Sequence, residues 1–307
     1  MAHSNPHWEE VSVDDFTRDT VDRHVVTTPR YRLTLWITGS LFLAGIAGFV
    51  GRALIDGFDD RLPWGYFAAT VAFLLTTAGS APLVVVALRM VRAHWRRPLA
   101  RVSELYASVG LLTALMFIPL LFLVPVAMNR FTLWFQGDTQ GSVGRIPGTP
   151  HVYISLLLAM LFICGLAMLL FSARPDVARI RDLKGGTSKS WASRWAAGWY
   201  GTRKQWLMLR LGLGVLGGFY FLLLIGTLSL FSVDFALVLV PGWKDAIFPA
   251  FQSLTGLQAG LATVVLTLYL MRRYGGLERD IHMEHFWGAS KLLLALSLLW
   301  FYFWFSG

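Results

Sequence analysis

The chain has 307 residues, 55% of them hydrophobic and only 15% charged, with a formal net charge of +9. A soluble domain of this length needs more charge to cover its surface, and a mean hydropathy of +0.56 lies outside the soluble range. The single cysteine, Cys164, sits in an apolar run; it excludes a disulfide framework and any cysteine-ligated zinc or iron–sulfur centre, and reads as a small buried hydrophobe.

Residues 1–30 place Glu9, Glu10, Asp14, Asp15, Asp19 and Asp22 ahead of any apolar run, whereas a secretory signal opens on a short basic region. They read as a cytoplasmic tail, solvated or lying on the membrane surface, with a short helix around Val13 to Val21. Residues 31–307 form a transmembrane helical domain. A bilayer core takes about 20 apolar residues as a helix, and such runs lie near 32–55, 64–91, 102–127, 151–173, 206–232, 246–271 and 286–306. Barrel strands are short and alternate, so these continuous runs predict an all-α polytopic bundle with seven visible helices, each satisfying its own backbone. No internal repeat is visible. The final run stops at Gly307 with no polar tail, which reads as a piece of a longer parent.

The charges sort by side. The N-terminal tail, the 2–3 and 4–5 loops and the 6–7 region hold 22 of the 27 lysines and arginines, against five on the other side. The positive-inside rule therefore expects a cytoplasmic N-terminus. Topology accounts for the basic balance, and nucleic acid is not expected as a partner; membrane lipid is. In the longest basic loop, Trp191, Trp195 and Trp199 are spaced four apart, which predicts three indoles on one face of an interfacial helix. Membrane anchoring and partner docking are both open to it.

Polar residues inside a membrane are expensive and therefore informative. Sixteen of the 18 carboxylates fall in tails and loops; the exceptions are Glu104 and Asp234. Glu104, near the start of the third helix, reads as an interfacial ion pair with Arg97 and Arg101 or as a proton entry point. Asp234, at the outer end of the fifth helix, is followed by nine uncharged residues. Desolvation there disfavours its charged form and suits proton exchange with a quinol; the other reading is an exposed aspartate capping a short re-entrant helix. In the second helix Thr76, Thr77, Gly79, Ser80 and Pro82 allow close helix approach and free a backbone carbonyl. In the sixth, Gln252 and Gln258 line a polar path or join helices; residues 251, 255 and 258 share one face, and 252 and 256 another.

All seven histidines lie in tails, loops or helix ends, so no haem pair can be placed within the spans. His282 and His285 have helical spacing, but in a charged, exposed region. No metal site, phosphate-cradling loop or nucleophile–base arrangement is expected, and no bound or ligated cofactor. Transport is a weaker alternative, because only one helix carries a proline break and the midplane is almost uncharged.

Several stretches, in order, carry a resemblance: DRLPWGYFAATVAFLLTTAG, MVRAHWRRPLARVSELYASVGLL, PDVARIRD, GWYGTRKQW and SVDFALVLVPGWKDAIFPAFQSLTGLQAGLA. From about residue 60 onward the chain resembles the polysulfide-reductase membrane-subunit family (NrfD-like), most closely the quinol-site subunit of alternative complex III. The resemblance implies an eight- to ten-helix parent in the bacterial inner membrane. It also implies quinone or menaquinone as a diffusible substrate handled near the periplasmic face. Electrons would pass to or from an iron–sulfur, ferredoxin-like partner, with molybdopterin or cytochrome c subunits as further partners. Asp234 then matches the carboxylate of the quinol and proton route, and Pro241, Gly242 and Trp243 match the turn that follows. Two positions depart from the pattern: Thr77 and Leu228 stand where such relatives carry histidine. The resemblance thus leaves two subunits open, one that reacts with quinone and a sister that serves as scaffold or proton path.

Overall fold

The computed structural model describes residues 15, 29–55, 57, 64–123, 151–183, 191–196, 198–237, 245–275, 277–278 and 280–306. Among these there are helices and no strands: α1 (Pro29–Ile55), α2 (Gly65–Thr77), α3 (Pro82–Met90), α4 (Arg96–Leu105), α5 (Val109–Leu123), α6 (His151–Leu183), α7 (Trp191–Ala196), α8 (Arg203–Phe235), α9 (Phe248–Tyr274) and α10 (Met283–Ser306). Grouped as continuous spans they give seven helices long and apolar enough to cross a membrane, the all-α polytopic bundle that the apolar runs predict. The expected tail helix around Val13 to Val21 lies outside the described residues apart from Asp15.

The chain divides into two compact units, Met1–Gly57 with Ala173–Trp206, and Phe58–Ser172 with Leu207–Gly307. In the first, α1 is apolar all round and none of its most hydrophobic stretch is buried, as for a helix solvated by lipid. The tryptophan spacing does not produce one helical face. Helix α7 stops at Ala196, and Gly198, at φ +68°, turns the chain through a conformation that costs a glycine little. Trp199 is consequently buried, edge-on to Trp206 at 5.2 Å, while Trp195 stays exposed. Arg181 fixes the turn by donating from Nη2 to the Trp199 carbonyl at 3.0 Å.

The second unit is arranged around α9, which packs on α2, α3, α4 and α10. Its core joins Val84 and Leu88 of α3, Leu99 and Val102 of α4, Leu261, Val264 and Leu268 of α9 and Ala289 of α10. The face of α9 that carries residues 251, 255 and 258 meets α10. Trp300 donates from Nε1 to Thr255 Oγ1 at 3.0 Å, Gln258 Nε2 donates to Ser297 Oγ at 2.8 Å, and the Phe251 and Trp300 rings lie 5.2 Å apart.

Three spans depart from their predicted outlines, each for a local reason. The third helix begins at Arg96 rather than 102, because Pro98 falls in the first turn, where its missing N–H is not needed. The fourth continues past residue 173 to Leu183 as a polar extension. The second is interrupted: α2 ends at Thr77 and α3 begins at Pro82. Pro82 has no N–H to give back, and the Gly79 N–H reaches five residues back to the Leu74 carbonyl at 2.9 Å. The groups released there are met by other helices. Tyr220 of α8 donates its hydroxyl to the Gly79 carbonyl at 2.6 Å. The Ser103 hydroxyl of α4 donates to the Ala81 carbonyl at 2.7 Å and accepts from the Val85 N–H at 3.1 Å, bridging a backbone pair four residues apart. Gly260 of α9 lies so close that a Cβ there would stand 2.7 Å from the Ser80 carbonyl carbon.

Two substitutions separate these contributions. Tyr220→Phe removes one hydrogen bond to a buried carbonyl and should cost about 1–2 kcal/mol of unfolding free energy in detergent. Gly260→Ala must push α9 away from the interrupted span's backbone and should cost more. Denaturant unfolding of both variants checks this; the opposite order would show that the close approach at Gly260 is not structurally required.

Candidate functional site

The two carboxylates singled out by sequence are both almost fully buried, Glu104 and Asp234 each at 1% exposure. Their surroundings differ. Glu104 is on the last turn of α4, and the first of its partners comes from the preceding helix: Arg89, near the end of α3, donates from Nη2 to Oε1. Arg101, one turn earlier on α4, donates from Nη1 to Oε2 at 3.1 Å, and Ser172 of α6 donates to the same oxygen at 2.6 Å. Arg101 also holds Ser172 from behind, Nη2 to its backbone carbonyl at 3.1 Å. Arg97 is exposed and is not one of the partners. The i,i+3 spacing made Arg101 legible. Arg89 was missed, because only the turn between α3 and α4 brings it back onto Glu104. With both carboxylate oxygens engaged, the geometry is that of an ion-paired pin joining α3, α4 and α6.

Asp234 lies in the final turn of α8, inside the helix rather than in the connection beyond it. Apolar and aromatic residues surround its position in sequence. Phe231 and Phe235 stack at 4.6 Å, and Phe117 meets Phe235 edge-on at 5.9 Å. One turn back, the Ser229 and Ser253 hydroxyls are 3.3 Å apart, linking α8 to α9. The alternative of an exposed aspartate does not hold, since Asp234 is buried, and the re-entrant helix it would cap falls on residues outside those described; at the entry to α9, Asp245 Oδ1 accepts from the Ile247 and Phe248 N–H groups at 2.8 and 3.2 Å.

The remaining sequence candidates do not converge on either carboxylate. Thr77 turns its hydroxyl back to the Phe73 carbonyl at 2.6 Å. Ser80 is buried at the interruption, its hydroxyl 3.4 Å from the Leu75 carbonyl. Gln258 is the bridge to Ser297 already described, which favours its helix-joining reading, and Gln252 is half-buried on α9. Trp243, with Pro241 and Gly242, lies outside the described residues. Cys164 is buried and donates to the Leu216 carbonyl at 3.2 Å, tying α6 to α8. His285 sits in the first turn of α10, its Nδ1 2.9 Å from the Trp95 carbonyl. Among the described residues no group of three or more histidine, cysteine, aspartate or glutamate side chains is placed to hold a metal ion.

Removing the Glu104 charge leaves two guanidiniums without their counter-ion. A broken buried pair costs about 3–5 kcal/mol, and here the loss should fall at or below the lower end, since the arginine side chains keep 23% and 45% exposure. Glu104→Gln should therefore lower the unfolding midpoint in detergent clearly, with Glu104→Asp intermediate; a midpoint equal to that of the parent protein would count against the pin. Comparison with protein-family models and with curated proteins finds no match for the chain.

Proposed function

We propose that this chain is a membrane subunit of a quinone-linked respiratory oxidoreductase, in which Asp234 exchanges the proton that accompanies quinol chemistry. The observation that carries the proposal is the burial of Asp234 in the last turn of a membrane-spanning helix. A carboxylate kept inside a span is expensive, and without a role in moving protons or ions it is normally absent. Glu104 meets that cost with two arginines; Asp234 lies at the other end of the spans, in a turn beside the stacked Phe231 and Phe235 rings.

The resemblance of the sequence to polysulfide-reductase membrane subunits supplies the rest. Quinol oxidation releases two electrons and two protons. In this reading Asp234 accepts a proton near the periplasmic face, while the electrons pass to an iron–sulfur partner docked on that side. The reverse sequence reduces quinone. The arginine excess at the opposite end of the spans supports a cytoplasmic N-terminus and an inner-membrane location.

A second reading, a sister subunit that conducts protons or serves as scaffold without binding quinone, is favoured by two side chains. Thr77 is turned back on its own helix, and Leu228 is buried with its Cδ1 2.7 Å from where a Cβ on Gly256 would stand. Neither position presents an imidazole to a quinone.

Asp234→Asn should lower quinol turnover of the assembled complex by about 10²-fold while assembly is retained, with Asp234→Glu falling less far. Unchanged turnover would remove Asp234 from the mechanism. Photolabelling of the complex with an azido-quinone separates the two readings: label near Thr77 or Asp234 supports a quinone-reactive subunit, and label confined to another subunit supports the sister.

A further inference from the structure

At the arginine-rich end of the spans, α3, α4 and α8 enclose a cavity of about 650 Å³ whose lining includes Arg89, Arg92, His94, Arg96 and Arg210 and no carboxylate. Arg89 is partly neutralised by Glu104, yet its Nη1 is buried with no protein partner. Arg96 spends one N–H on the Ala93 carbonyl at 3.0 Å. Arg92 and Arg210 are exposed and have no ion-pair partner among the described residues. Arg92 is also the one described non-glycine residue with positive φ, +50°, at the close of α3, where the Ala93 N–H returns to the Leu88 carbonyl at 3.1 Å. That place at a helix end normally goes to glycine; here a guanidinium occupies it and lines the cavity.

The cavity shares Val86 and Met90 with a second, apolar groove of about 340 Å³. Its walls are Leu83 and Ala87 of α3, Phe221 of α8, Leu261 of α9 and Leu292 of α10, and its floor includes Gly218. A Cβ added at Gly218 would meet nothing within 4 Å, so the groove is open there. A cationic chamber thus adjoins an apolar slot between membrane-spanning helices.

We propose that this composite site binds one anionic phospholipid, its phosphate held by Arg92, Arg96, Arg210 and the spare Nη1 of Arg89, and one acyl chain in the groove along α3 and α8. Guanidinium groups match phosphate oxygens in charge and geometry. A neutral quinone head offers no counter-charge to this set, and a free phosphate leaves the adjoining groove unused. The charge bias assigns this end to the cytoplasmic leaflet, where anionic lipids concentrate and basic pockets between spans hold their headgroups. The lipid would cover the seam between α3 and α8 and is independent of the redox reading.

The test is native mass spectrometry of the full chain, delipidated in detergent and titrated with phosphatidylglycerol and with phosphatidylcholine of the same acyl chains. One phosphatidylglycerol should be retained in preference to phosphatidylcholine. Arg92→Ala with Arg210→Ala should weaken it by about tenfold or more, and Gly218→Leu, whose Cβ has open space and whose side chain would occupy the groove, should weaken it as well. Arg203→Ala with Lys204→Ala, exposed and outside the cavity, is the control that should leave it unchanged, and thermal melting verifies that every variant folds. Equal retention of the two lipids, or binding indifferent to the arginine pair, would overturn the proposal. So would full competition by inorganic phosphate with no effect of Gly218→Leu, which marks a free-anion site, or displacement by an equimolar short-chain menaquinone, which marks a quinone slot.

Discussion

Inside a bilayer a backbone carbonyl released from its helix has no water to turn to, and an unmet one costs several kcal/mol. The second span, Gly65–Met90, releases its carbonyls near its middle, between Thr77 and Pro82. The groups that meet them fix the packing of the second unit. Tyr220 holds α8 to the interruption, Ser103 inserts α4 into it, and Gly260 lets α9 lie directly against it. Helix α9 then carries α10 through Thr255 and Gln258. Lipid supplies no hydrophobic drive for helix association, so such polar ties and close glycine contacts have to provide it.

The same economy sets the two buried carboxylates apart. Glu104 is enclosed by donors from three helices, and its value is positional: it draws the turn between α3 and α4 back onto α6 and aims Arg89 along the basic cavity. Asp234 lies at the other end of the spans, and the aromatic rings of α8 and α5 flank its turn. One buried carboxylate ties three helices together at the basic end of the spans, and the other sits at the opposite end in a turn next to an aromatic stack. That contrast, more than either residue alone, directs the functional reading to Asp234.

Much of the fold was legible in the sequence because continuous apolar runs of span length have few alternatives. The burial of Cys164 and the shared face of residues 251, 255 and 258 followed from the apolar run and from helical periodicity. What was not legible depended on backbone departures. The tryptophan spacing assumed a helix that Gly198 ends early, and the fifth run, predicted to end near residue 232, continues to Phe235 and so takes Asp234 into its last turn. Arg89 and Glu104 lie fifteen residues apart, and no periodic rule pairs them; the turn through Arg92 does. The basic cavity was hidden for the same reason, since Arg210 reaches it from a different part of the chain.

The most direct measurement of the central claim is redox-triggered infrared difference spectroscopy of the assembled complex, which reports carboxyl protonation itself. The account predicts a protonated-carboxyl band that changes on quinol addition in the parent complex and is missing in Asp234→Asn, while the corresponding signal is unaltered by substitution of Glu104. A quinol-dependent band that persists in Asp234→Asn, or that disappears with Glu104 instead, would contradict it.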